Sequence, residues 1–288
     1  MARNRVQMQK GLSLTEFCER YGTEEQCREA VVQWRWPDGF VCPHCGSRDH
    51  SIVGIRALYL CHDCLTQTSI KAGTIFARTL LPLTKWFQGM YLLTQAKNSI
   101  STLELARQLG VRPDTASLMR HKLMSVMVER EGSRKLDGRV EMDDAVLGGE
   151  RLLLHVVKVH DGEAIAAMAK AHLEPTARIV SDGLGCFRAV TKAGCAHEPV
   201  NVSKTFDGKS EKLVCFRWVN TVLGNVKTAI VGTLKSVAKR YVFRYLAEFQ
   251  YRFNRRFKLP EMLDRLACVA TQAKPRPYKT LKIEHEAG

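Results

Sequence analysis

Four cysteines constrain this chain more than any other feature. Cys42-Pro-His-Cys45 and Cys61-His-Asp-Cys64 are two C-x2-C pairs separated by 15 residues. Each pair sits on a tight turn that aims two sulfurs at one point, and two such turns close a tetrahedron around Zn²⁺. Four thiolates leave the metal no open position. The spacing therefore predicts a structural zinc ribbon over 36–72, whose ion serves folding and presents a surface without doing chemistry. His44 and His62 lie inside the two turns and are read as bystanders. The other cysteines, Cys18, Cys27, Cys186, Cys195, Cys215 and Cys268, are scattered and read as small buried hydrophobes.

Lys and Arg number 44 against 29 Asp and Glu, a formal +15, so the surface carries a positive field that draws polyanions, with nucleic acid the first partner to consider. No apolar run approaches the ~20 residues of a membrane span, and Met1 to Lys10 lacks the apolar core of a signal peptide. The expectation is a cytoplasmic protein with no membrane partner, in a compartment where paired cysteines bind metal in preference to forming disulfides.

Around the ribbon the chain reads as two halves. Residues 1–35 predict a helical segment with two short helices over 12–35, Phe17, Cys18 and Tyr21 facing the core from one and Cys27, Ala30, Val31 and Trp34 from the other. Residues 73–130 return to helical periodicity. Within them Ser101 to Leu123 has the form of a helix, a turn at Gly110, and a second helix opened by Pro113. Leu103, Ala106 and Leu109 are expected to meet Ala116, Met119 and Leu123, leaving Arg112, Thr115, Arg120 and Lys122 to reach bases or phosphates as a helix-turn-helix. Plain antiparallel helix packing would show the same periodicity. A charged linker at Glu129–Arg139 leads into a second unit over 138–260, and 261–288 is left as a C-terminal tail.

The second unit alternates strands and helices, the pattern of an α/β or α+β layer. Strands are expected at Val140–Leu147, Leu152–Val159, Ala177–Val180 and Glu198–Val202. Helices are expected at Glu163–Leu173, Cys186–Lys192 and about 215–231 and 238–256. Asp143 and Asp144 interrupt the first strand, and Asp182 ends the third before Gly183. Acidic residues are poor strand formers, so their presence there calls for a reason. Hard oxygens from neighbouring strands suit Mg²⁺ or Mn²⁺, and two such ions serve hydrolysis or strand transfer at a phosphodiester. A turn-forming Asp-Gly and a solvated strand residue are the plainer accounts.

The text that decides between them is longer. Arg35-Trp-Pro-Asp-Gly-Phe-Val-Cys-Pro-His-Cys45, Gly73-Thr-Ile-Phe76, Glu141-Met-Asp-Asp with Gly148-Gly149, Val180-Ser-Asp-Gly183, Arg217 to Lys227 and Arg244 to Arg256 resemble the zinc-ribbon insertion-sequence transposases of the ISXO-like group. The resemblance implies an RNase H-like catalytic domain with two aspartates and a third ligand that is Glu in some branches and Asn in others. It places Asp143 first, Asp182 second and Asn225 third, with Lys227 as a phosphate contact and Glu248 as the alternative third ligand. It further implies double-stranded DNA as partner, at the element's ends and at the target, action as a homo-oligomer, and a place at the bacterial nucleoid. In the last helix Leu246, Phe249 and Phe253 read as core, while Arg252, Arg255 and Arg256 are candidates to clamp phosphates.

One departure stands out. In the family a second strand and a loop follow the Gly-Gly, whereas here Gly148-Gly-Glu-Arg151 runs straight into Leu152. The expectation is the loss of one core strand and an impaired enzyme. Two other readings remain, a zinc-containing DNA-binding regulator without catalysis and an RNase H-like nuclease.

Overall fold

The protein is represented by a computed structural model that describes residues 10–132, 134–143, 145–149, 151–157, 159–200 and 216–283. The chain forms two compact units, residues 1–126 with 258–288, and residues 127–257. Among the described residues no helix is long and apolar enough to cross a membrane.

In the first unit α1 (Leu14–Tyr21) and α2 (Glu24–Arg35) each open with a reciprocal capping box, Ser13 with Glu16 and Thr23 with Gln26. Each box satisfies amides that a helix start leaves without partners. The ribbon follows as an antiparallel sheet of β1 (His50–Val53), β2 (Leu58–Cys61) and β3 (Gln67–Thr68). Next come α3 (Leu83–Gln95), α4 (Thr102–Leu109) and α5 (Pro113–Gly132), whose residues from 127 on belong to the second unit. Helix α3 starts at Pro82, which has no capping side chain, and the Glu24 carboxylate takes its first amides instead, accepting from Leu83 N at 2.8 Å and Thr84 N at 3.0 Å. Gly89 lets α3 approach α5 closely, since a Cβ there would lie 2.6 Å from Met119 Sδ.

The segment expected as a tail completes this unit. Helix α9 (Met262–Gln272) packs on α2 and α3, burying Met262, Leu263, Leu266, Ala267 and Ala270. Its Asp264 accepts from the Tyr21 hydroxyl at 2.7 Å and pairs with Arg20. Periodicity gave no reason to join residues so distant in sequence.

The second unit is a five-stranded sheet in the order β6-β5-β4-β7-β8. Its strands are β4 (Arg139–Met142), β5 (Val146–Gly148), β6 (Arg151–Leu153), β7 (Arg178–Ser181) and β8 (Ala196–Pro199). The first three form an antiparallel meander, while β4–β7 and β7–β8 are parallel. This corrects the expected loss of a strand. The run Val140–Leu147 is not one strand but two, folded back at Asp143, whose N–H donates to Ala145 O at 2.9 Å. An aspartate pair suits a turn better than a strand; Asp144 itself lies outside the described residues. The three-strand meander is rebuilt from text that reads as one strand and the start of the next, and Leu152–Val159 contributes only its first residues.

Helices cover both faces. On one, Val140, Met142, Val146 and Ile179 pack with Ile165, Met168 and Ala169 of α6 (Gly162–His172), and with Phe187 and Val190 of the 3-10 turn Gly185–Ala193. On the other, Ala145, Leu147 and Leu152 meet Val219, Val222 and Val226 of α7 (Arg217–Thr228), backed by Leu246, Phe249 and Phe253 of α8 (Val242–Phe253). The stripe on α8 is core. Helix α7 continues as a π-helical turn, Ala229–Leu234, and the last element of the described residues is the short helix α10 (Tyr278–Ile283).

The outer edge of the meander is closed by side chains. Asn254 Oδ1 accepts from Leu152 N at 2.7 Å, its Nδ2 donates to Leu152 O at 3.0 Å, and Gln250 Oε1 accepts from Leu154 N at 2.8 Å. Both amides also donate to Glu131, a buried carboxylate paired with Arg255. An edge strand of three residues thus finds its partners in α8 and the residue after it, so that its amides are not a template for another chain. Asn254→Ala is expected to cost about 1–3 kcal/mol locally. Hydrogen exchange would read this as roughly ten- to a hundredfold faster exchange of the Leu152 amide, and unchanged exchange there would refute it.

Candidate functional site

The ribbon is built from short-range contacts. Cys42 N donates to Ser47 O at 2.8 Å, Gly46 N to Cys42 O at 2.9 Å, and Cys61 N to Thr66 O at 3.1 Å, which curls the chain around each pair of sulfurs. The Sγ atoms of Cys42, Cys45, Cys61 and Cys64 all lie within 4.8 Å of one another, with 3.6 Å between Cys42 and Cys64 and 3.5 Å between Cys45 and Cys61. A tetrahedron of thiolates about 2.3 Å from zinc has edges of about 3.8 Å, so the cluster fits that ion. The hydroxyl and amide of Thr66 hold the Cys64 thiol down at about 6, whereas Cys45, against a backbone bond from Ser47, is pushed up to about 12 by the neighbouring thiols. His62 is no ligand: its Nδ1 meets Asp49 Oδ1 at 3.0 Å and its Nε2 meets Ser51 Oγ at 3.1 Å. Beside the cluster Phe40 stacks on Tyr59 and meets Trp36 edge-on, and Arg35 lies over Trp36 while donating to the carbonyls of Ser69 and Ile70. Of the scattered cysteines, Cys27 and Cys195 are buried, Cys186 and Cys268 half-buried, and Cys18 is exposed against expectation; Cys215 lies outside the described residues.

Helices α4 and α5 are joined as the sequence implies, through Gly110 at φ 63° in the left-handed region. The buried set on α4 is Leu105, Ala106 and Leu109, while Leu103 is exposed. The free side of α5 differs from the expected one. Arg120 is 1% exposed and donates to Ile100 O at 2.7 Å and Ser99 Oγ at 2.8 Å. Lys122 is buried, donates to Ile75 O at 3.1 Å and lies over the Trp86 ring. Both are therefore withdrawn from the expected DNA-facing set, because their donors are spent on acceptors within this unit, Ile100 O, Ser99 Oγ and Ile75 O. Arg112 is exposed and Thr115 half-buried, and the outward stripe continues through Asp114, Ser117, Leu118 and His121. The helical period alone allows this face; only packing chooses it.

In the second unit β4 and β7 run parallel with Met142 beside Ser181. Asp143 and Asp182 follow at the same end of neighbouring strands, whose spacing is about 4.8 Å. Both are half-buried, and Asp182 Oδ1 accepts from Leu184 N at 3.1 Å. By strand alternation they belong with Glu141 and Val180 to the face that α7 covers. Glu141, two residues earlier, turns back to Arg139 at 2.9 Å and does not join them. Helix α7 carries Asn225 and Lys227, both exposed, beside the buried Val222 and Val226. Glu248 on α8 is 1% exposed, with Arg252 3.8 Å away. The three arginines read as phosphate clamps are engaged within the unit: Arg252 faces Glu248, Arg255 bonds Glu131 and lies over Tyr251, and Arg256 lies over Phe253 and Phe257. Burial, which sequence does not show, accounts for the difference.

Two stretches of the chain match known protein families. Residues 22–67 match the transposase zinc-ribbon domain, and residues 119–254 match the ISXO2-like transposase domain, together more than half of the chain. A protein in the transposable element ISH50 of Halobacterium salinarum is 30% identical over 87 residues, 28% of this chain and 29% of that protein. No solved structure matches.

Two outcomes follow from this geometry. The purified chain is expected to hold one zinc ion in the ribbon, and Cys61→Ser to lose it together with a change in Trp36 fluorescence; retention of zinc by that variant would exclude the four-thiolate site. Arg120→Ala is expected to lower stability by about 1.5–3 kcal/mol, because its charged hydrogen bonds are buried, and a denaturant midpoint equal to that of the unmodified chain would show those bonds to be dispensable.

Proposed function

Because the chain belongs to the zinc-ribbon, ISXO2-like group of insertion-sequence transposases, we propose that it is a DNA transposase that cuts at the ends of its element and joins the freed 3′-hydroxyl to target DNA. The observation that carries this reading is the parallel register of β4 and β7, which brings Asp143 and Asp182 to one end of adjacent strands. The sheet order supports an RNase H-like domain: an antiparallel meander whose inner strand is continued by two parallel ones. Five strands are present despite the short segment after Gly149, and that favours a working enzyme over an impaired one.

The donor set fits Mg²⁺ or Mn²⁺, since carboxylate oxygens are what such hard cations take. Bound there, the ions would supply activation of the attacking hydroxyl and charge for the leaving oxygen. Asp143 and Asp182 hold them from the sheet. Asn225 is the third ligand, approaching from α7, and its neutral amide compensates less charge than a carboxylate would. Asn225 is favoured over Glu248 because Glu248 is buried facing Arg252. Lys227, on the same helix, contacts phosphate.

Double-stranded DNA is the partner, at the element's ends and at the target, as the +15 charge suits. Arg112 and Thr115 present the start of α5 to a groove, while the ribbon offers a second surface. Two copies pair two ends, and the work is done in the cytoplasm at the nucleoid.

The test is an assay on DNA carrying the element's terminal repeats, with Mg²⁺ and with EDTA. Cleaved and joined products are expected with Mg²⁺ and lost with EDTA; they are also expected to be lost in Asp143→Ala and in Asp182→Ala, both with zinc content and melting unchanged. Hydrolysis without joining would mark a nuclease, and binding without any cleavage a regulator. Arg112→Ala is expected to make the slope of log K against log salt shallower by about 0.9, the value for one lost phosphate contact; an unaltered slope would remove Arg112 from the interface.

A further inference from the structure

We propose that His197 is a positioning residue for Asp182, acting through the Ser181 hydroxyl and the Gly183 amide. The inference rests on the reading of Asp182 as a metal ligand and adds what holds that ligand in place. Strand β8 lies beside β7 in parallel register, with Ile179 opposite His197 and Ser181 opposite Pro199. Across that pair His197 Nε2 stands 2.9 Å from Ser181 Oγ, and the Gly183 N–H donates to the same Oγ at 3.3 Å. One residue further on, Leu184 N–H donates to Asp182 Oδ1 at 3.1 Å. Asp182 is therefore framed by two amides, one fixed to its own carboxylate and one fixed to Ser181.

The direction of the Ser181–His197 bond follows from proton accounting. Ser181 is 0% exposed, so water does not serve its hydroxyl. The Oγ already accepts from Gly183, and its other described partner is His197 Nε2. A buried hydroxyl proton needs an acceptor, so Ser181 donates and His197 Nε2 accepts. The imidazole thus carries its proton on Nδ1. Burial, and secondarily Arg188, lowers the pKa of His197, which keeps the ring in the neutral form that this bond requires. By alternation Ser181 lies on the α6 face, opposite Asp182. His197 therefore supports the aspartate from behind the sheet and is not itself a ligand. The Gly183 turn, at φ +85° in the region that favours glycine, is the element that the bond holds.

Groups that orient a metal ligand typically contribute about ten- to a hundredfold to metal affinity when lost. The experiment uses the full zinc-loaded chain without DNA and measures Mn²⁺ binding from the electron paramagnetic resonance of the free ion. Asp182→Ala is expected to abolish binding at the site, His197→Ala and Ser181→Ala to weaken it by roughly tenfold, and His197→Gln, which returns an acceptor oxygen near the position of Nε2, to bind as the unmodified chain does. In the cleavage assay the rate of His197→Ala should recover at high Mn²⁺. If Asp182→Ala weakens Mn²⁺ binding and His197→Ala does not, the positioning role fails while the metal site stands. If Asp182→Ala leaves binding unchanged, the metal reading itself fails and takes this inference with it. Equal losses in His197→Ala and His197→Gln would reduce the ring to packing. A readout that needs no variant is the ¹⁵N shift of His197 in the unmodified chain: an unprotonated Nε2 is expected, and a protonated one would overturn the proposal.

Discussion

The parallel pairing of Arg139–Met142 with Arg178–Ser181 is the contact on which the second unit depends. Between the two strands the chain forms a hairpin, a third strand and helix α6, and it returns to the sheet at β7, where Arg178 N bonds Gly138 O at 2.8 Å. That return joins the antiparallel meander to the parallel pair. It also carries the residue that follows each strand, Asp143 and Asp182, to the same end of the sheet, a placement made by backbone hydrogen bonds.

Charge in this chain has two uses that composition does not separate. Arg120 and Lys122 end on backbone carbonyls within the first unit, while Arg252 and Arg255 face buried carboxylates within the second. Each of these groups is costly to bury alone and acceptable when its donors are matched. A formal +15 therefore overstates the cations left to meet DNA. The same economy of partners closes the edge of β6, where Gln250 and Asn254 replace the backbone of an absent neighbouring strand, with Glu131 as their common acceptor.

The cysteine cluster and the aspartate pair differ in how they are made. The four thiolates come from 23 consecutive residues and are drawn together by turns and a small sheet, so the ribbon needs little from the rest of the chain. The aspartates are 39 residues apart and meet only when the second unit has folded. That difference suits their chemistry. A structural ion supplies folding free energy to a short segment, whereas a catalytic site needs a rigid support that is in place before its ions bind.

Local chemistry was readable from residues alone. The C-x2-C pairs, the Gly110 turn between α4 and α5 and the apolar stripe of α8 follow from spacing and period, which depend on near neighbours. Asp143 and Asp182 were legible as candidates because acids are poor strand residues and the surrounding text resembles a known group. What tertiary structure decided was which partners those residues meet. It folded Val140–Leu147 into two strands and so supplied the meander that a count of apolar runs lacks one member for. It turned Arg120 and Lys122 inward, brought α9 back onto α2 and α3, and set His197 behind Asp182. Each of these outcomes depends on contacts between segments far apart in sequence. Such contacts are selected by the packing of the whole unit, and no local period encodes them.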